Sequence, residues 1–214
     1  MKPLAQDMRA AKALGAFWSD ISSGRKPSSD LRRDAELAAD ELAVGGRRLI
    51  DRFFETMESE RPRLAWHPEA GRFGCDVLDF LHEFWLERRW RAGPPSSRTI
   101  DPLDLKPALG SMALLEPCAG GGDFRFRLYG ARITLYSKID MTGRCVWDIP
   151  SAYLAAFFFA IYRAVSIRRQ PLRAFHRCRL DQCHAEWDRL ILPFVDDEGA
   201  VSRLLVGTVP RVRR

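Results

Sequence analysis

Apolar and polar positions along the 214-residue chain change their period several times, and each change marks an element. From Asp30, which can cap a helix, Ala35, Ala38, Leu42, Leu49, Phe53 and Met57 recur at intervals of three, four or seven residues. Gly45-Gly46 breaks that helical pattern midway. A polar loop, Ser22 to Ser29, separates it from a short, weaker helical stretch at the N-terminus. Pro62 and Pro68 enclose an irregular connection. Between Asp76 and Trp90, Val77, Phe80, Leu81, Phe84 and Trp85 form one apolar helix face, with Glu83, Glu87, Arg88 and Arg89 away from it. Gly93-Pro94-Pro95 ends this helix.

The period then shortens. Met112 to Glu116 reads as a strand, and Gly120-Gly121-Gly122 turns the chain into another. There Phe124, Phe126 and Leu128 alternate with Arg125, Arg127 and Tyr129, which predicts a strand with one buried face. Pieces at about 130–137 and 145–149 lead to Pro150 and Ser151, which open a helix running to about Arg169. Leu154, Phe157, Phe158, Ile161 and Val165 are its core stripe. Ala155, Ala156, Phe159 and Tyr162 make it apolar almost all round, so it should be covered on both sides. Pro171 ends it. Three strand-like segments follow: Leu172 to Leu180, His184 to Val195, and Val201 to Val209, the last after an Asp196-Asp197-Glu198-Gly199 turn. Five short strands joined mainly by hairpins predict an α+β fold, an antiparallel sheet with helices on one face. Residues 1–75 form an N-terminal helical, partly disordered extension, and 76–214 the main domain.

Composition narrows the class. Apolar residues are 46% of the chain and charged residues 29%, which suits a folded globular protein. The longest apolar run, Leu154 to Ile167, is about 14 residues and contains Arg163, short of the roughly 20 that span a bilayer. No secretory signal is evident, so no membrane association and a cytoplasmic location are expected. Five scattered cysteines are read as reduced thiols. The net charge of +6 is spread from Arg9 to Arg214 rather than gathered on one element, which disfavours nucleic acid as a partner.

Several short motifs carry a resemblance. Trp90 to Leu105 (W-R-A-G-P-P-S-S-R-T-I-D-P-L-D-L) resembles the entry to a group of small, stand-alone alphaproteobacterial proteins of the PAS-domain family. Asp123 to Ile133 (D-F-R-F-R-L-Y-G-A-R-I) is similar to that group's strand-to-helix crossing. Asp140-Met141-Thr142-Gly143 looks like its D-L-T-G turn, and Leu192-Pro193-Phe194 before an acidic Gly turn also fits. Ala131 and Ser137 depart from the pattern. The resemblance begins near residue 76. It implies a PAS-like sensory fold with a small interior pocket, often feeding a dimer contact. Such folds host haem, flavin, organic acids or nothing, so the cofactor stays unassigned.

Candidate chemistry is sparse. His176, Cys178, Cys183 and His184 are four possible zinc ligands within nine residues. A two-residue turn at Asp181-Gln182 would pair Leu180 with Cys183, Cys178 with Ala185 and Arg177 with Glu186. That register leaves His176, Cys178, Cys183 and Trp187 on one face and turns His184 to the other, which fits pocket lining better than a tetrahedral site. Thiol catalysis by Cys178 with His176, and a phosphate loop at Gly120-Gly121-Gly122, lack the flanking residues they need. Asp101 and Asp104 are explained by capping. Phe126, Leu128, Tyr136, Trp147, Phe157, His176 and Trp187 are the pocket candidates, and His176 is the one histidine assigned to the interior. The expected function is a sensory module, not an enzyme, that binds a small ligand or a protein partner. Its output is expected through a homodimer, by the N-terminal helices or the Phe157 to Tyr162 helix, or through a signalling partner, because no output domain follows the last strand. The alternatives are a basic nucleic-acid-binding protein and a small thiol or zinc enzyme.

Overall fold

The computed structural model describes residues 28–89, 93–180 and 183–213, and the backbone alone of 178–180, 183–185 and 211–213. The expected loop and helical stretch before Ser28 lie outside the described residues. Helix α1 (Ser29–Ala43) is capped by Ser28 rather than Asp30: its hydroxyl accepts from the Leu31 amide at 3.2 Å. The diglycine ends it, with Gly45 at a φ of +98°. Glu41 then reaches across the turn and accepts from the amides of Arg48 and Leu49, at 3.2 and 2.9 Å, so α1 caps α2 (Arg48–Thr56).

The expected α+β fold with an antiparallel sheet is present, and its details differ in two ways. Among the described residues the sheet has six strands rather than five, because β1 (Arg63–Trp66) forms within the supposed irregular connection. Four residues between prolines are too few for a period to show, and only pairing with a longer strand makes them one. The others are β2 (Met112–Pro117), β3 (Phe124–Tyr129), β4 (Leu172–Leu180), β5 (Cys183–Val195) and β6 (Val201–Arg213). Their spatial order is β1-β4-β5-β6-β2-β3, antiparallel throughout. The β4–β5 hairpin has the predicted register, with Leu180 opposite Cys183, Arg177 opposite Glu186 and His176 opposite Trp187.

The second difference is that helices lie on both faces. Ile191, Leu204 and Val206 belong to one apolar cluster, while their strand neighbours Leu190, Leu192 and Leu205 belong to another, the alternation of a sheet buried on two sides. On the outer side lies α3 (Asp76–Glu87), whose Leu78 and Leu81 pack where Gly207 leaves room and whose Trp85 Nε1 donates to the Pro193 carbonyl at 2.7 Å. On the inner side are α4 (Ala131–Ser137) and α5 (Ala152–Arg168).

Helix α5 lies between the inner sheet face and α1, which is why its sequence is apolar almost all round. Ala35, Ala38 and Ala39 on α1 and Ala155, Ala156, Ala160 and Ala164 on α5 are wholly buried, and such small side chains let helix axes approach closely. Residues 29–66 therefore share the inner core and the sheet. No helix among the described residues is long and apolar enough to cross a membrane.

Candidate functional site

The inner face of the sheet is tiled by residues of β2 to β6, and α4, α5 and the loop after α4 roof it. Between them is a cavity of about 30 Å³, room for about two waters. Phe126 and Tyr129 enter from β3, His176 from β4, Trp187 and Arg189 from β5, and Thr208 from β6. Ile133, Ser137, Ile139, Met141, Leu154, Phe158 and Tyr162 close the roof.

Of the seven residues singled out from sequence, Phe126, His176 and Trp187 reach the cavity wall. Leu128 does not. The pairing of β2 with β3 shifts between Leu114 opposite Leu128 and Leu115 opposite Phe126, so Arg127 is an extra residue. This bulge resets the alternation, turns Leu128 toward the outer cluster and brings Tyr129 inward. Tyr136, Trp147 and Phe157 are buried in the surrounding core. Trp147 packs against Phe159 with Arg32 of α1 over its ring at 4.6 Å, and Phe157 packs edge-on to Phe54 of α2.

The chemistry of the cavity centres on Arg189, which sequence reasoning passed over. Only 7% of its surface is exposed. It is inward because it lies two residues from Trp187 and two from Ile191 on one strand, so the hairpin register already implied its direction. Its cross-strand neighbours, Ala174 and Thr208, are small and leave the guanidinium space. Nη1 lies 3.2 Å from Nδ1 and 3.4 Å from Nε2 of His176. Cζ stands 4.2 Å from the centroid of the Phe158 ring and 5.4 Å from that of Trp187.

The titratable groups respond to this burial. His176, 2% exposed, is held well below the usual imidazole range, first by desolvation and then by the Arg189 charge, so it is a neutral acceptor. Burial pushes the Tyr162 hydroxyl up to about 12 although Arg189 pulls the other way. The Tyr129 hydroxyl is also raised by burial, against the hydroxyl of Ser137 and the charge of Arg189.

A second, more open cleft of about 240 Å³ lies beside α3, lined by His67, His82, Trp85, Arg89 and Arg169 among others. His82 is buried, so His176 is not the only interior histidine, and desolvation lowers its pKa as well. Among the described residues, no three His, Cys, Asp or Glu side chains form a group that could hold a metal. The side chains of Cys178, Cys183 and His184 lie outside the described residues.

An antiparallel sheet with a roofed inner cavity is the geometry that the sequence motifs implied, and a family model for the PAS domain matches residues 77–209. The chain belongs to the PAS-domain family. PAS domains are, as a class, sensory and signalling modules. No curated protein and no solved structure matches the chain. The PAS region takes in β2 to β5, α4, α5, the whole cavity lining, α3 but for its first residue and β6 as far as Val209, whereas α1, α2 and β1 precede it.

Proposed function

We propose that this PAS domain is a sensor that binds a small molecule in its inner cavity and signals through contact with a second copy or another protein, without catalysing a reaction. The observation that supports this most directly is the partly enclosed cavity with a buried cation, Arg189, at its wall. Interior sites that are mostly apolar with a few placed polar groups are the usual form of small-molecule pockets. Arg189, His176, Tyr129 and Tyr162 are the polar groups here, set among Phe126, Met141, Leu154 and Phe158.

Of the two dimer surfaces expected from sequence, Phe157 to Tyr162 is covered by α1 within the same chain. The outward side of α1 is the better candidate for contact, with Leu37 half-exposed and Val44 86% exposed at the following turn. Native mass spectrometry of the full chain purified from its own host tests both parts of the proposal. A retained mass that is lost on unfolding, together with a two-subunit species, is expected. An empty monomer at tens of micromolar would remove the ligand and the dimer alike.

A further inference from the structure

Two thiols from separate parts of the PAS domain meet at the open end of the β2–β3 hairpin. Cys118 follows β2 at the start of the turn into β3, and Cys145 lies on the loop that runs along the outer edge of β3. Their sulfurs are 3.8 Å apart, although 27 positions separate them in the chain. Asp123 ties both segments down: its carbonyl accepts from the Cys118 amide at 2.9 Å and its Oδ1 from the Val146 amide at 3.1 Å. The Gly143 amide donates to the Phe126 carbonyl at 2.8 Å, and the Phe126 amide to the Arg144 carbonyl at 2.9 Å, which lays the loop on β3.

Packing alone does not account for the pair. A cysteine kept as a small hydrophobe is among the most buried of residues. Both of these are half-buried, beside the exposed Ala119 and Gly120 and the charges of Asp123 and Arg125, so a small oxidant reaches them from solvent. A disulfide needs about 2.0 Å between sulfurs. The remaining approach falls to rotation about the two Cα–Cβ bonds and to the hairpin end, where the space around Gly120 and Gly122 is open. The two thiols are also unequal. Burial, the Asp123 charge and Cys118 itself keep the proton on Cys145. Cys118 is therefore the thiol that meets the oxidant, and Cys145 the one that closes the bridge.

We propose that Cys118 and Cys145 form a reversible disulfide in response to a hydroperoxide, and that the bridge fastens the loop over the inner cavity to the β2–β3 hairpin. The Cys118 sulfur attacks the peroxide, an S–O bond forms as the O–O bond breaks, and an alcohol, or water from hydrogen peroxide, leaves with the thiol proton. The Cys145 sulfur then attacks the sulfenic acid. An S–S bond forms as the S–O bond breaks, and the oxygen leaves as water with the Cys145 proton. Two thiols are oxidised and one peroxide is reduced. Ile139, Met141, Ile149 and Pro150 of the fastened loop line the cavity, so oxidation acts on its roof. This last link rests on reading the cavity as the sensing site, and the disulfide does not.

The test uses the full chain, reduced, freed of reductant and treated with a small excess of hydrogen peroxide. Peptide mapping without reduction should recover a Cys118–Cys145 cross-link as the main product, and dithiothreitol should reverse it. In Cys118→Ser, Cys145 should oxidise at least tenfold more slowly than Cys118 does in the wild type. Cys145→Ser should halt Cys118 at the sulfenic acid, which dimedone traps. Serine fills nearly the same space at these half-buried positions, and melts under reducing conditions check that both variants fold. Hydrogen exchange reads the link to the cavity: the amides of 139–149 should exchange at least tenfold more slowly in the oxidised protein than in the reduced one. Cys118 accumulating as sulfinic acid with Cys145 untouched overturns the disulfide, as does a bridge to another cysteine or to a second chain. A Cys118–Cys145 bridge that leaves exchange at 139–149 unchanged overturns the link to the cavity alone.

Discussion

Nη1 of Arg189 lies 3.2 Å from Nδ1 of His176, and burial keeps that imidazole uncharged in the folded protein. The unfolded chain takes up a proton on the ring near the ordinary value of 6.5, and the folded chain does not. Stability therefore rises with pH below that value and levels off above it. His82, lowered by desolvation in the same direction, adds to the effect. Urea denaturation between pH 7 and pH 5.5 should show a steady loss of stability as pH falls. His176→Gln, which keeps an acceptor and does not titrate, should flatten the profile in part. An unchanged slope in H176Q would mean that His176 is protonated in the folded state.

Gly130 is required by close approach rather than by backbone conformation. A Cβ there would meet the Gly110 carbonyl oxygen and stand 2.7 Å from that of Leu109. Neither backbone group can swing aside as a side chain could. Gly130→Ala should cost about 1–3 kcal/mol or more, and each kcal/mol is about 2–4 °C of melting temperature in a chain of this size. A melting temperature equal to wild type would refute the tight crossing of β3 into α4.

The docking of α1 on α5 depends on small residues. Ala38→Leu adds volume at a wholly buried position and should destabilise by about 1–3 kcal/mol, whereas Glu36→Ala, at an exposed position of the same helix, should change little. If thermal melts show A38L to be as well tolerated as E36A, α1 is not seated on α5.

Cys145 should be a slow thiol. Its pKa is pushed up to about 11 by burial, by the Asp123 charge and by Cys118, whose sulfur lies 3.8 Å away. At pH 8 so little thiolate is present that alkylation of the folded protein should run roughly a hundredfold slower than for a free cysteine. Peptide mapping after iodoacetamide treatment, folded and in urea, reads this directly. Equal rates in the two states would contradict the half-buried thiol pair.

Much of this architecture could be read from the chain alone. The period change near Met112, the Pro171 stop and the all-round apolar helix Ala152–Arg168 are local patterns, and local patterns decide element type. The β4–β5 register followed from a short turn and the opposite charges of Arg177 and Glu186. With that register in hand, the inward direction of Trp187 and His176 was legible, and that of Arg189 was two residues further along. What only the tertiary structure decided was non-local. Strand β1 exists because β4 offers it an edge, the extra residue Arg127 in β3 exchanges Leu128 for Tyr129, and α3 lies on the outer face. None of these leaves a period in its own segment. Sequence alternation says that a residue alternates, but pairing with a distant strand sets the side it faces, and one unpaired residue is enough to reverse it.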